Sequence, residues 1–403
     1  MTKPDITPHP EGRSYFPALD GVRAFAFLLV FLFHYIGLLW GWAGVDIFFV
    51  LSGFLITGIL YDAREAPHRF RNFYIRRTLR IFPLYYGIFV VLLLVTPLLH
   101  WRWGFAWLAW PLYLGNYFRL IHTPANFTYD RLFSSAANLP RIELFLGHFW
   151  SLCVEEQFYL VWPFVVFSIK DRRKLIWICS LCVVLMPFIR WVASLTLPQY
   201  LLDHRVLYFL TPFRVDALLL GGLLALWRRG PEHRLMQKAA PILFILCLLC
   251  ISGFIVFSIH RYHSIVEPAW IDTWGESFVD LFAACLILLS LNNGSLTFRI
   301  FNQPLLRSIG TVSYGAYVFH DLLHGVYAQI ADHLVTQHRL IVTAALASVG
   351  TSLLAWFSFR YFEFPFLALK DKFTRYDTRE SAQFLSRQPH PVPETMPGKN
   401  LHL

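Results

Sequence analysis

The sequence predicts an all-α polytopic membrane protein with about ten transmembrane helices in one bundle. Of its 403 residues, 56% are hydrophobic and 15% are charged, and the mean hydropathy is +0.50. A soluble domain carries about 25% charged residues. Apolar stretches of about 20 residues, the length at which a helix crosses a bilayer, recur along the chain, and basic residues cluster between them.

The predicted spans alternate with loops whose charge indicates their side of the membrane. The spans are 20–40, 43–61, 82–99, 149–169, 175–195, 206–227, 240–259, 273–291, 309–330 and 340–366. The segment 62–80 holds six arginines, and short basic loops of this kind stay in the cytoplasm. A tryptophan-rich patch at 104–118 is predicted to be a re-entrant or interfacial element, because a full crossing would place the basic loop 170–174 outside. This topology predicts an inner-membrane protein with both termini cytoplasmic, and eleven spans are the alternative.

The segments outside the bundle are predicted from their polarity. Residues 1–18 form a cytoplasmic tail with no cleaved signal peptide. Residues 368–403 form a cytoplasmic, mostly disordered tail, since 378–403 contain four prolines and almost no apolar periodicity. The polar stretch 119–148 lies outside in this topology, as a lid, part of an acceptor site or a plain loop.

The charge distribution argues against nucleic acid as a partner, and the positions of the cysteines argue against disulfides and a metal site. The net charge of +10 does not indicate nucleic acid, because the basic residues follow the membrane topology and no nucleic-acid-binding motif accompanies them. All six cysteines lie in hydrophobic runs, including two pairs with CxxC spacing. Small reduced cysteines behave as hydrophobic residues in apolar helices, so we predict no disulfide and no metal.

An arginine and a histidine share one face of the first predicted span. His34 follows Arg23 by eleven residues, which places both within about 20° of one helix face and about 16 Å apart. Arg23 is predicted near the membrane edge and His34 near the midplane. An ionisable residue at that depth indicates a functional site, and a histidine satisfied by a helix–helix hydrogen bond is the alternative.

Three further groups of polar residues are candidates on the next spans. Asp46 could orient an imidazole, and Ser52 with Gly53 forms a small-residue step that favours close helix packing over a nucleophilic role. Before the third span stand three arginines that a helix would present as one fork able to grip phosphate: Arg76, Arg77 and Arg80. The alternative is that these arginines only anchor the cytoplasmic end of the span, as basic residues of cytoplasmic loops do.

The start of the fourth span carries two carboxylates that are costly to bury unpaired. Glu155 shares a helix face with Tyr159, and Glu155 or Glu156 could raise the basicity of a histidine or bind an acceptor hydroxyl. The weaker candidates lie further along the chain, and structural ion pairs explain them equally well: Arg214 and Asp216, which pair with each other or with neighbouring helices, His320 and Glu363.

The ordered set of motifs resembles the acyltransferase-3 family of integral membrane O-acyltransferases over about residues 15–367. The motifs are the Arg23–His34 pair, GVDIFFVLSGFLI at 44–56, RRTLRIFP at 76–83, FWSLCVEEQFYLVWPF at 149–164, FRVDALLLGG at 213–222, SYGAYVFH at 313–320 and FEFP at 362–365. The resemblance implies an acyltransferase-3 transmembrane domain at 19–367. It also implies His34 as the essential base with Arg23 on the same helix, Arg77 and Arg80 on the acyl-donor side, and Glu155 as the motif glutamate.

The expected function is transfer of a short acyl group, acetyl by analogy with the family, from cytosolic acyl-CoA to a hydroxyl of an envelope sugar, glycolipid or related metabolite. His34 would remove the hydroxyl proton, or it would carry the acyl group covalently. Many members of the family also have an extracytoplasmic esterase-like domain. This sequence ends after the membrane unit, so we expect this chain to act alone or with a separate extracytoplasmic partner. The rival prediction is a transporter or flippase of a glycan or lipid whose buried charges line a permeation path.

Overall fold

The structure, a computed structural model, describes residues 15–99, 105–120, 131–133, 143–262, 271–334 and 337–374. Most of the predicted N-terminal tail, most of the predicted C-terminal tail and most of the stretch 119–148 lie outside these residues. The described chain is almost entirely helical, which confirms the predicted all-α class. The exception is one pair of short antiparallel strands, β1 (Arg131–Phe133) and β2 (Glu143–Phe145).

Seventeen α-helices follow one another in the described residues. The first eight are α1 (Pro17–Ile36), α2 (Ala43–Asp62), α3 (Arg69–Leu99), α4 (Trp150–Ser168), α5 (Arg172–Thr196), α6 (Gln199–Asp203), α7 (Val206–Phe209) and α8 (Thr211–Trp227). The others are α9 (His233–Tyr262), α10 (Glu276–Ser290), α11 (Leu296–Phe301), α12 (Pro304–Thr311), α13 (Ser313–Leu322), α14 (His324–Leu334), α15 (Arg339–Phe357), α16 (Phe364–Ala368) and α17 (Lys370–Phe373). Two π-helical turns, Ile271–Gly275 and Ser358–Glu363, precede α10 and α16.

Seven helices in the described residues are long and apolar enough to cross a membrane. They are Pro17–Ile36, Ala43–Asp62, Arg69–Leu98, Arg172–Thr196, His233–Gly253, Ile271–Ser290 and Arg339–Ala368. The predicted count of ten is not confirmed. The span predicted at 206–227 is split into α7 and the 17-residue α8, and the span at 309–330 is divided among α12, α13 and α14.

The first helix ends earlier than its apolar pattern predicts. Gly37 adopts a left-handed conformation (φ 69°), and its N–H caps the carbonyl of Leu32, as glycine commonly does just past a helix end. His34 therefore lies in the last turn of α1, so its predicted position near the middle of the span is wrong. Because apolar residues continue beyond Gly37, the hydropathy pattern does not indicate where this helix ends.

Glycines bring α2 and α8 into backbone contact. A Cβ on Gly53 would lie 1.8 Å from the carbonyl oxygen of Leu218, and one on Gly221 would lie 1.9 Å from that of Val50. The predicted close approach at the Ser52–Gly53 step is confirmed. This contact fixes the depth at which the polar residues of α2 face the rest of the bundle.

The tryptophan-rich segment packs on the bundle through short helical turns. In its described part it forms two 3₁₀ helices, Phe105–Ala109 and Gly115–Leu120. Tyr85 and Tyr86 of α3 donate hydrogen bonds to the backbone oxygens of Trp110 and Pro111 at 2.6 and 2.9 Å. The segment therefore braces α3.

Candidate active site

A central cavity of about 120 Å³ lies between α1, α2, α3, α4 and α13. We call its polar lining the central cavity residues. They are Arg23, Ser52, Arg77, Arg80, Ser151, Glu155, Glu156, Tyr159, Ser313, Tyr314 and Tyr317. The remaining lining is aliphatic and aromatic, so the cavity is an apolar chamber with a few convergent polar groups, as ligand sites commonly are.

Three arginines line one side of the cavity. Arg23 forms an ion pair with Asp20 one turn earlier on α1, and Arg77 lies over the ring of Tyr159 at 4.9 Å. The side chain of Arg80 is exposed and lies within electrostatic range of the other two guanidinium groups. Like charges held together in this way form a binding site for an anion. We call this side the arginine end.

Glu155 faces the cavity from α4 and connects the polar groups of three helices. Its carboxylate interacts with the hydroxyls of Ser52 and Tyr159 and with the charge of Arg77. The Ser52 and Tyr159 hydroxyls also form a short hydrogen bond with each other. The neighbouring Glu156 also lines the cavity, but its Oε1 atom has no hydrogen-bond partner among the described residues.

The other end of the site is a cluster of histidines. We define the histidine cluster as His34, His148, His320, Asp321 and His324. The ring of His320 lies 5.0 Å from the rings of both His34 and His148, measured between centroids. The Nδ1 atom of His148 is 3.4 Å from an Asp321 carboxylate oxygen. Three imidazoles from distant parts of the chain therefore form a continuous row.

The half-buried ring of His34 is oriented by its own helix. Its Nδ1 atom lies 2.9 Å from the backbone oxygen of Val30, and a carbonyl oxygen can only accept a hydrogen bond. Nδ1 therefore carries the hydrogen, and Nε2 is left with the lone pair that a base requires.

Ser151 and Tyr317 join the cavity to the histidine cluster. Both line the cavity, and their hydroxyl oxygens lie 2.5 Å apart. The Tyr317 hydroxyl also donates to the backbone oxygen of His148 at 3.0 Å, and its ring is 5.3 Å from the ring of His320. His34 does not line the cavity itself, so contact between the two ends passes through these residues.

A second polar cluster is buried on the far side of α2. Asp46 pairs with Arg214, which also pairs with Glu276. Asp216 pairs with Arg190 at 3.0 Å. These five side chains are almost completely buried and join α2, α5, α8 and α10. Arg214 and Asp216 thus pair with neighbouring helices, one of the two alternatives that their sequence position left open.

The family model described as an acyltransferase domain matches residues 16–360, which is most of the chain. The chain belongs to this family. The acyltransferase-3 resemblance is therefore confirmed, and membership favours an acyltransferase over a transporter.

Several curated proteins are similar to this acyltransferase-family chain. The peptidoglycan O-acetyltransferase OatA of Listeria monocytogenes is 32% identical over 371 residues, covering 88% of this chain and 56% of OatA. YrhL of Bacillus subtilis, provisionally named a peptidoglycan O-acetyltransferase, is 33% identical and covers 83% of this chain and 54% of YrhL. The chain thus spans about half the length of these relatives. No solved structure matches the chain.

The fold of this family member brings together only part of the set predicted from its sequence. Arg23, Arg77, Arg80 and Glu155 line the cavity, with Ser52, Glu156 and Tyr159. Among the described lining residues Arg76 is absent. Glu155 contacts Ser52 and Tyr159, whereas the ring of His34 packs on His320.

Asp46 and Asp216 belong to the buried ion pairs, so Asp46 is placed as the partner of Arg214. Arg23 lines the cavity together with residues of α13, and the ring of His34 packs on His320 of α13.

Four residues at the junction were not predicted as site residues. They are His148, Ser151, Tyr317 and Asp321. A local signal was present for two of them, because Tyr317, His320 and Asp321 have the three- and four-residue spacing that places side chains on one helix face. For His148 the partner lies about 170 positions away, and no local spacing reveals such a contact.

Proposed function

We propose that this chain transfers a short acyl group, acetyl in the first instance, from cytosolic acyl-CoA to a hydroxyl of a cell-envelope sugar, glycolipid or related metabolite. Family membership and the similarity to proteins named peptidoglycan O-acetyltransferases support this reaction. The observation that carries the proposal is the cavity, which is lined by the arginine end and is joined to the neighbouring histidine cluster by the hydrogen-bonded pair Ser151 and Tyr317.

The distribution of positive charge supports a cytosolic arginine end. The start of α1, the end of α2 and the start of α3 lie at the same end of the bundle, because α1, α2 and α3 follow one another through short connections. The arginine-rich segment 62–80 lies there, and such segments remain in the cytoplasm. In this orientation the histidine cluster faces the outer side of the inner membrane.

The arginine end suits the donor. Arg77 and Arg80 bind phosphate groups of acyl-CoA through charge-assisted hydrogen bonds, and Arg23 adds a third positive charge from α1. A pocket for a drug-sized ligand has a volume of about 300–1,000 Å³, so the 120 Å³ cavity admits the acyl-bearing end of the donor while its nucleotide part stays outside.

The transfer step uses His34 as the general base. Nε2 of the neutral imidazole takes the proton of the acceptor hydroxyl as the hydroxyl oxygen attacks the thioester carbonyl. The C–O bond forms, the C–S bond breaks, and the proton passes from His34 to the leaving thiolate, so the step is balanced without a further reactant. Arg23 lies about 16 Å from His34 along α1 and remains at the donor's phosphate end, so a hydroxyl near His34 stabilises the negative charge that develops on the carbonyl oxygen. An extracytoplasmic partner would receive the acyl group where the final acceptor lies beyond the membrane.

The proposal is tested by reconstituting the full chain in lipid vesicles with radiolabelled acetyl-CoA outside and a soluble glycan inside or outside. We expect labelled glycan and free CoA from the native chain, and no labelled glycan from His34→Ala. Mass spectrometry of envelope glycans from cells with and without the gene identifies the acceptor by the loss of one acyl unit. Full transfer by a well-folded His34→Ala protein would exclude the histidine base. A labelled protein band that precedes labelled glycan would show the covalent route instead.

A further inference from the structure

Both ring nitrogens of His148 face hydrogen-bond acceptors. Nε2 lies 3.1 Å from the backbone oxygen of Val318. Nδ1 lies 3.4 Å from a carboxylate oxygen of Asp321, which is within ion-pair distance, although it forms no hydrogen bond among the described residues. A neutral imidazole carries one N–H and can satisfy only one of two acceptors. The side chain of His148 is 1% exposed and that of Asp321 is 13% exposed, so water does not replace the missing partner for His148. This geometry fits an imidazolium paired with a carboxylate.

In the adjacent His320 only one of the two ring nitrogens has a hydrogen-bond partner among the described residues. Its Nδ1 atom is 2.6 Å from the backbone oxygen of Tyr317 and therefore carries a hydrogen. Its Nε2 atom has no hydrogen-bond partner in the described part of the chain, although the residue is completely buried. A buried polar atom without a partner is costly, so the free lone pair of Nε2 indicates a group that is paired only at another stage of the reaction.

We propose that His320 is a positioning residue for His34, and that the His148–Asp321 ion pair keeps His320 neutral with Nε2 as a hydrogen-bond acceptor. When His34 takes the acceptor proton, its Nε2–H gains a neutral imidazole beside it and donates to that lone pair. The positive charge of His148, one ring further along the row, opposes protonation of His320. The proton therefore stays on His34 until it passes to the thiolate.

This inference rests on the proposed function, because it assigns a role within the same reaction. It adds His148 and Asp321, which line no part of the cavity. The backbone supports the arrangement from α1 as well, since the Tyr35 hydroxyl donates to the backbone oxygen of His320 at 2.5 Å. Several titratable side chains face the row of three imidazoles formed by His34, His320 and His148. Among the described residues they are Tyr35, Tyr317, Asp321 and His324.

The test removes one charge and then both. His148→Gln removes the proposed cation beside Asp321 and leaves His324 as its other imidazole neighbour at 3.7 Å. The less compensated carboxylate favours the protonated forms of His320 and His34. We expect the acidic limb of the pH–kcat profile to move to higher pH, with transfer reduced about tenfold near pH 6 and about threefold or less near pH 8. The double variant His148→Gln/Asp321→Asn removes both charges, so its acidic limb should return towards that of the native chain.

A purely structural role predicts a different pattern. In that case the two variants would lose activity equally at every pH, and the double variant would be no better than the single one. A loss of activity that does not depend on pH overturns the proposal, and so does a double variant no more active than the single one, provided that the native chain transfers the acyl group. If the native chain shows no transfer, the proposed function fails first, and the charge assignment is decided by the following measurement.

Solid-state nitrogen NMR of the full chain in lipid vesicles, with isotope-labelled histidine, reads the protonation states without any activity. We expect a buried imidazolium signal that is absent from His148→Gln and is lost in Asp321→Asn, together with a neutral His320. A neutral His148 in the native chain would overturn the proposal even if transfer is normal.

Discussion

The hydroxyl groups of Ser151 and Tyr317 lie 2.5 Å apart where the central cavity meets the histidine cluster. Ser151 precedes the adjacent carboxylates of Glu155 and Glu156 on α4, and Tyr317 precedes His320 by one turn of α13. This hydrogen bond joins α4, which carries Glu155, to α13, which carries His320.

Tyr317→Phe should uncouple the two ends without unfolding the protein. The variant loses the hydrogen bonds to Ser151 and to the backbone of His148, each worth about 0.5–1.5 kcal/mol. We expect kcat for acyl transfer to fall about tenfold because the polar junction loses its hydroxyl, with little change in acetyl-CoA binding. Tyr86→Phe, which loses one hydrogen bond to Pro111 outside the cavity, is the control and should transfer normally. Equal activity in both variants would show that the junction is not used.

Arg80→Gln should weaken donor binding, whereas Arg76→Gln should not. Arg80 lines the cavity, and Arg76 does not. A lost charge-assisted hydrogen bond of about 1.5–3 kcal/mol corresponds to a rise in KM for acetyl-CoA of about 10–150-fold. The measurement is initial-rate kinetics with varied acetyl-CoA, supported by direct binding of radiolabelled donor. If Arg76→Gln raised KM as much as Arg80→Gln does, the fork would act as a diffuse positive surface rather than as a site.

Glu155→Gln and Glu156→Gln should differ although they are neighbours. Glu155 interacts with Ser52, Tyr159 and Arg77, while Oε1 of Glu156 has no hydrogen-bond partner in the described chain. We expect Glu155→Gln to lower kcat at least about tenfold, and Glu156→Gln to change it less than about threefold. Both replacements keep the side-chain shape, so folding is matched. A greater loss for Glu156→Gln would reassign the carboxylate that serves the reaction.

Asp46→Asn should lower stability rather than chemistry. The change leaves Arg214 buried with one ionised partner fewer, and breaking a buried ion pair costs about 3–5 kcal/mol. We expect less folded protein after heating in detergent, with kcat per folded molecule reduced by less than about threefold. The double variant Asp46→Leu/Arg214→Met removes both charges and leaves Glu276 paired with Arg190 at 3.4 Å, so it should recover part of the lost stability. A stable Asp46→Asn protein without transfer activity would return Asp46 to the site.

Some parts of the fold follow directly from local patterns. Apolar stretches and low charge predicted the helical membrane class, and the small Ser52–Gly53 step predicted the close contact of Gly53 with Leu218. The eleven-residue spacing placed Arg23 and His34 on one face because an α-helix has a fixed pitch. His34 was predicted to lie near the middle of its helix, and this is wrong because the left-handed Gly37 ends the helix although apolar residues continue beyond it.

Local composition and helical periodicity were enough to identify the class, the family motifs and the arginines before α3, since these depend on residues close together in the chain. The row of imidazoles, the pairing of Asp46 with Arg214 and the separation of Glu155 from His34 arise only when distant helices pack. The imidazole contacts and the Asp46–Arg214 pair each join residues more than 100 positions apart. Packing geometry selects such partners from many that are chemically equivalent, and no spacing along one helix distinguishes them.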